Sequence, residues 1–155
     1  MRVLSLSTLF PSAARPGFGL FVARQAEALA KRGDVSLTVV HPVPLAPPPL
    51  GRLAGNRDLA ALPASAQDWG VTVHYPRYTW LPRIGPRWNP ALIARAVLPL
   101  VQRLHADQPF DLIDAQFFYP GGPAAARIAA ALGLPLSIKA RGSDIHLWGA
   151  KGYAR

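Results

Sequence analysis

Apolar and polar positions along this chain fall into blocks that switch between strand-like and helix-like spacing. Val3 to Leu9 is a short apolar run, of the kind that forms a strand buried on both faces. Leu20 to Arg32 has helical spacing. Val22, Ala26, Leu29 and Ala30 share one face, Arg24, Glu27 and Lys31 lie elsewhere, and Gly33 is the stop. "VSLTVV", Val35 to Val40, is a second strand, and "VTVHY", Val71 to Tyr75, a third. Between them His41 to Pro49 carries five prolines, which bar a regular element, and Leu50 to Gln67 is ambiguous, nearest to a broken helix. Pro76 to Pro90 is a loop rich in Arg, Pro and aromatic residues. Asn89 as an N-cap and Pro90 in the first turn start a helix that runs to about His105, with a kink expected at Pro99. Phe110 to Phe117 is a strand, Gly121 and Gly122 turn the chain, and Pro123 opens a helix that ends at Leu132 before Gly133. Leu134 to Ala140 is a last strand, followed by "RGSDIH".

Strands that alternate with helices, several of them nearly all apolar, predict an α/β fold. It is a Rossmann-like three-layer α/β/α sandwich around a mostly parallel sheet. That sheet draws on Val3–Leu9, Val35–Val40, Val71–Tyr75, Leu112–Ala115 and Leu136–Ala140. In such a sheet the strand-to-helix loops gather at the carboxyl edge, where ligands bind. Three loops there stand out: Phe10–Gly19, Phe117–Gly122 and Arg141–His146.

The first loop contains Pro11, Pro16, Gly17, Phe18 and Gly19 and no acid, and it leads into a helix N-terminus. Unpaired N–H groups and the positive dipole end favour an anion there, and Gly17 and Gly19 would let a phosphate or carboxylate come close to the backbone. A corner that needs two unusual backbone conformations explains the same residues, and the stretch alone leaves both explanations open. It is not a dinucleotide motif: Val22 stands where a third glycine belongs, and the second strand ends in His41-Pro42 instead of an acid for a ribose. Nor is it a P-loop, since no Gly-Lys-Ser/Thr follows. The second loop brings Gln116 and Tyr119. The third packs Lys139, Arg141, Ser143, Asp144 and His146 into eight residues. Arg141 suits a phosphate or carboxylate, and Asp144 a sugar hydroxyl or Arg141 itself.

Composition adds limits. The length of 155 residues fits one domain with a real core, and 50% apolar against 16% charged residues fits a folded chain. There is no cysteine, hence no disulfide or thiol chemistry. His41, His74, His105 and His146 have no metal-ligand spacing, and there is no Gly-x-Ser-x-Gly elbow, so no metal is expected and no catalytic residue is named. No apolar run reaches bilayer length, and "MRVLSLSTLF" lacks an Ala-x-Ala site, so it reads as the first strand of a cytoplasmic protein. The net charge of +9 favours anionic partners, although an Arg-rich compositional bias accounts for it as well.

With these residues in place, the chain resembles the N-terminal, acceptor-side domain of family 4 retaining glycosyltransferases, which have the two-domain GT-B fold. The resemblance covers nearly the whole chain. It is carried first by Phe10, Pro11, Pro16, Gly19, Phe21, Val22, Gln25, Leu29, Arg32 and Gly33, then by "FDLIDAQFFYPGGPAAARIAAALGLPL" and by "RGSDIH". It implies transfer of a hexose from a nucleotide-diphosphate sugar to a glycan or lipid-linked acceptor, with retention at the anomeric carbon, in bacterial polysaccharide biosynthesis. No cofactor is implied, the nucleotide sugar being a substrate. The resemblance assigns Gly17, Phe18 and Gly19 to the donor phosphates, and Gln116, Tyr119, Arg141, Ser143 and Asp144 to acceptor or sugar contacts.

Two departures accompany it. Family members often carry His-x-His where this chain has Asp114-Ala115-Gln116, and Gln116 can hydrogen-bond but cannot titrate. The chain also stops at Arg155, short of the family's last N-terminal strand and helix and of the C-terminal nucleotide-sugar domain. Alone, therefore, it is expected not to turn over. The alternatives are a non-catalytic ligand-binding or regulatory module of the same ancestry and, with less support, a nucleic-acid binder. The latter rests on Arg77, Arg83 and Arg87 interleaved with Tyr78, Trp80 and Trp88, but no nucleic-acid motif is present. The same mixture also suits peripheral contact with the inner membrane.

Overall fold

Strand β1 (Arg2–Leu6) runs through the middle of the molecule, because both its edges and both its faces are in use. In a computed structural model of the chain, describing residues 1–49, 56–81, 85–142 and 144–152, it pairs in parallel with β2 (Ser36–Val40) on one edge and β7 (Leu112–Ala115) on the other. Val3 sits opposite both Leu37 and Leu112. Outside these lie β5 (Val71–His74), parallel to β2, and β8 (Leu136–Ile138), parallel to β7. The sheet order is β4-β5-β2-β1-β7-β8, where β4 (Ser65–Asp68) is antiparallel to β5.

Helices cover both faces, which is why the strands read as continuous apolar runs. On one face α1 (Leu20–Ala30) and the short α2 (Asn56–Ala60) supply Val22, Ala23, Ala26 and Leu59 to a core with Val3, Leu37, Val39, Val71 and Val73. On the other, α3 (Asn89–Asp107) and α4 (Gly121–Leu132) supply Ile93, Val97, Val101, Ala125 and Ile128 to Leu4, Leu6, Val40 and Ile113. Neighbours such as Val39 and Val40 thus belong to opposite cores, as period-two side-chain alternation requires. The fold is the Rossmann-like α/β/α sandwich that the pattern predicts.

Three stretches differ from expectation. Within the segment 50–67, of which residues 50–55 lie outside the described part, a helical turn at Asn56–Ala60 is followed by β4, a strand and not the end of a helix. Antiparallel pairing to β5 through a tight turn at Trp69 and Gly70, both with positive φ, gives that polar strand partners without a buried face. The proline-rich stretch also forms a strand: β3 (Val43–Leu45) pairs in parallel with β6 (Arg77–Thr79) in a two-stranded sheet, where Pro44 has a neighbour on one side only. The segment 76–90 therefore contains regular structure, β6 and a 3₁₀ turn at Pro86–Trp88, while Arg83 lies outside the described residues.

Asn89 is already helical (φ −51°, ψ −44°) and caps nothing with its side chain, because that 3₁₀ turn carries the chain into α3. Its Oδ1 is buried and has no hydrogen-bond partner among the described residues. α3 runs through Pro99 to Asp107. Pro99 is exposed, so the Arg95 carbonyl that loses its usual partner lies on a water-facing part of the helix. Among the described residues no helix is long and apolar enough to cross a membrane.

Ile113 is fully buried at the centre of the sheet, whereas Ile138 is 42% exposed on the edge strand. Ile113→Ala is expected to cost about 2–5 kcal/mol and Ile138→Ala no more than about 0.5 kcal/mol in urea unfolding. Equal losses would contradict this placement of β7 and β8.

Candidate functional site at the switch point of the sheet

From β1 the chain winds outward through β2 to β5, then returns to the other side of β1 to place β7 and β8. The loops after β1 and β7 consequently leave toward opposite faces and open a crevice between the carboxyl ends of these two strands. In open α/β sheets that is where ligands bind. The three loops expected at this edge all meet there.

The first loop is shaped by a tight turn in which Ser12 and Arg15 exchange backbone hydrogen bonds and the Phe18 N–H donates to the Arg15 carbonyl. Buried Phe10 anchors it in the α1-side core. The two glycines play different parts. Gly19 has φ +75° and precedes the first residue of α1, and a Cβ there would lie 2.6 Å from the Leu9 carbonyl carbon. Its close approach is to the chain's own backbone, which gives this glycine a packing reason of its own. Gly17 has no positive φ, and a Cβ there meets nothing within 4 Å. The open backbone of the loop lies at Gly17, ahead of the first turn of α1, where the Val22 and Ala23 N–H groups donate to the Gly19 carbonyl and the two before them have no carbonyl within the helix to bond.

Arg141 spans the crevice. Its Nη2 donates to Gln25 Oε1 on α1 at 2.6 Å and to Gln116 Oε1 after β7, and its Nε donates to the Gln116 carbonyl at 3.4 Å. Its guanidinium also lies 5.3 Å from the ring of Phe21, itself 48% exposed. All these partners are neutral. The ion pairs among the described residues are Lys31–Glu27, Arg32–Asp34 and Lys139–Asp114, and none involves Arg141. A cation is thus held against the side of α1 by neutral oxygens, an arrangement that suits an anionic ligand.

The other residues expected to touch acceptor or sugar have partners inside the protein. Gln116 is 3% exposed, with both ends of its amide bonded: Nε2 donates to Asp114 Oδ2 at 2.5 Å and Oε1 accepts from Arg141. Asp144 is 2% exposed and is neither a partner of the Arg141 guanidinium nor open to a sugar. It accepts from the Phe118 N–H at 2.6 Å and the Arg141 N–H at 2.8 Å, stapling the second loop to the third. Tyr119 is buried, donates to the Pro86 carbonyl at 2.5 Å and lies against Trp148. Ser143 lies outside the described residues. Sequence reasoning passed over Gln25 and Asp114. Gln25 lies on an ordinary helix face, and Asp114 is two residues from Gln116, the position that drew notice. Only their contacts give them away.

The basic and aromatic stretch after β5 is not one continuous patch. Arg77 donates to the carbonyls of Leu62 and Tyr75 and so holds the end of α2 against the sheet. Tyr78 is buried, which pushes its pKa up to about 12, and Trp80 packs on the α3-side core. Arg83 lies outside the described residues. Arg87 and Trp88 remain as an exposed pair, the guanidinium 5.3 Å from the ring.

His41, at the end of β2, is the buried histidine of this edge. Its Nδ1 lies 2.9 Å from the Ser7 carbonyl, which can only accept, so Nδ1 carries the proton. Burial, with a smaller contribution from Arg15, holds its pKa below the ordinary 6.5. A base whose folded pKa is depressed binds fewer protons folded than unfolded. The stability from neutral His41 is therefore full above 6.5 and is lost as pH falls through the depressed folded value.

Over 150 residues the chain is 31% identical to the putative teichuronic acid biosynthesis glycosyltransferase TuaC of Bacillus subtilis (strain 168), a match covering 96% of the chain and 38% of that protein. The chain thus spans a little over a third of the length of the curated relative it matches. No family model matches. Among solved structures, the chain is similar to apo UGT2 of Phytolacca americana, with a TM-score of 0.53, 15% identity and 89% of this chain against 29% of that one. It is also similar to the C-terminal domain of PF1911 hydrogenase from Pyrococcus furiosus, with a TM-score of 0.50, 12% identity and 89% of both chains. Likeness at these identities shows the fold alone.

Two outcomes follow from this geometry. Gly19→Ala is expected to lose at least about 2 kcal/mol, from the left-handed backbone and the contact with Leu9, whereas Gly17→Ala stays within about 0.5 kcal/mol of wild type in chemical denaturation. The thermal midpoint is expected to fall between about pH 7.5 and about pH 5, and His41→Asn to flatten that limb. An unchanged slope in the variant would remove His41 from the account.

Proposed function

We propose that this chain is the acceptor-side half of a two-domain, retaining glycosyltransferase of the GT-B type and family 4 kind, moving a hexose from a nucleotide sugar to a glycan or lipid-linked acceptor. The observation that carries this proposal is the 31% identity to a putative glycosyltransferase along almost the whole chain. Its supporting geometry is the Arg141 cation with neutral partners at the switch-point crevice.

In such a transfer the bond between the anomeric carbon and the diphosphate oxygen breaks, and a bond to the acceptor oxygen forms. The acceptor's proton ends on the departing phosphate. Negative charge grows on the leaving nucleoside diphosphate, and groups already aimed at it lower the barrier. In this reading these are the N–H groups of Leu20 and Phe21 at the start of α1 and the Arg141 guanidinium, so the proposed chemistry needs no cofactor from this half. Gln116, unable to titrate, would act through hydrogen bonds only. A second domain would supply most of the nucleotide contacts, and this half alone would not turn over.

The test is made on the full-length protein with a panel of nucleotide sugars and glycan acceptors. Sugar transfer is expected, with Arg141→Met lowering kcat/KM about 100-fold, equivalent to about 2.7 kcal/mol of transition-state stabilisation. Gly17→Val is expected to lower it at least about tenfold with little change in thermal midpoint, because its side chain would stand in the path of the diphosphate. Absence of transfer with every donor, or full activity in both variants, would contradict the proposal.

A further inference from the structure

The crevice rests on a buried polar chain that begins at Asp114. This carboxylate, at the end of β7, is 5% exposed. Its Oδ2 accepts from Lys139 Nζ at 2.6 Å and from Gln116 Nε2 at 2.5 Å. The opposite end of the Gln116 amide accepts from Arg141. Lys139 and Arg141 both follow the end of β8, so one carboxylate near the end of β7 is tied to the segment leaving β8 and, through one amide, to the guanidinium over the crevice.

We propose that Asp114 is a positioning residue that sets the orientation of the Gln116 amide and thereby holds Arg141 in place with its charge uncancelled. This rests on the function proposed above only in what Arg141 is held for.

The chemistry runs in one direction. An ionised carboxylate can only accept, so it draws the NH₂ end of Gln116 toward itself. That turns the amide oxygen outward, where Arg141, which can only donate, finds it. Without the anion Gln116 Nε2 loses its strong acceptor, and the amide is held at its oxygen end alone, by Arg141. The amide and the guanidinium on it would then be free to shift together. The same chain sorts charge. Asp114 spends its negative charge on Lys139, and the amide between Asp114 and Arg141 carries none. A carboxylate at position 116 would hold Arg141 equally well but would neutralise it. The pair of a buried acid and a buried neutral amide thus gives Arg141 both a fixed geometry and a free positive charge.

The experiment is a double-mutant cycle on the full-length protein, with two readouts: calorimetric affinity for inorganic pyrophosphate, and hydrogen exchange at Arg141 Nε with arginine labelled. Asp114→Asn is expected to weaken pyrophosphate about tenfold and to speed Nε–H exchange. In a Gln116→Met background the same change is expected to alter affinity less than twofold, because the path is already cut. Asp114→Asn with Lys139→Met removes both charges, leaves no orphan ammonium, and is expected to reproduce the loss if the single variant folds poorly. Equal effects of Asp114→Asn with and without Gln116, or unchanged Arg141 exchange in a folded variant, would overturn the positioning role. If wild type fails to bind pyrophosphate while Asp114→Asn still loosens Arg141, the positioning role stands and the diphosphate role proposed for Arg141 falls.

Discussion

Parallel pairing of β1 with β2 on one edge and β7 on the other is the constraint from which the rest of the molecule follows. Parallel strands need crossovers, and the crossovers here are α1 on one face and α3 and α4 on the other. Two covered faces demand apolar residues at successive positions of each central strand, and Leu4, Leu6, Val39, Val40 and Ile113 meet that demand with full burial. The same parallel arrangement sends the loops after β1, β7 and β8 to a single edge. The reversal of winding at β1 then leaves a crevice between two of them.

Polar side chains in that region are nearly all spoken for. Asp144 staples two loops, Asp114 is paired with Lys139, and Gln116 is bonded at both ends. Burying such groups is tolerable only when each has a partner, and a network whose members are satisfied is stiff. Arg141 stands at the outlet of this network. Its partners are neutral oxygens, so its position is determined without its charge being spent. A fixed cation costs little reorganisation when negative charge arrives, which is the property that charge-stabilising sites depend on.

The fold does not choose the reaction. The same layers appear in a plant UGT structure and in an archaeal hydrogenase domain, both at identities that carry no functional weight. What separates the possibilities is the detail of the three loops, and the similarity that runs through them to a bacterial glycosyltransferase named for teichuronic acid biosynthesis. The chain spans little more than a third of that relative's length.

Much of the architecture was legible in the order of residues alone. Central strands buried on both faces announce themselves as apolar runs, and α1, α3 and α4 as helical spacing, because burial acts on side chains that are close in sequence. β4 and the paired β3 and β6 did not, since a polar or proline-bearing strand exists only through a partner brought to it by the fold. The loops of the candidate site were recognisable by glycine, proline and charge, yet the roles within them were not. Gly17 and Gly19 look alike until Leu9 is seen against one of them. Asp144 looks like a free acid until two backbone N–H groups are found on it. Gln25 and Asp114 stood in the family pattern but gave no sign of their contacts, because their partners Arg141 and Lys139 lie 116 and 25 positions away in sequence. Periodicity records which face of an element is buried. Which polar atoms meet across loops is decided only when the sheet order brings those loops to one edge.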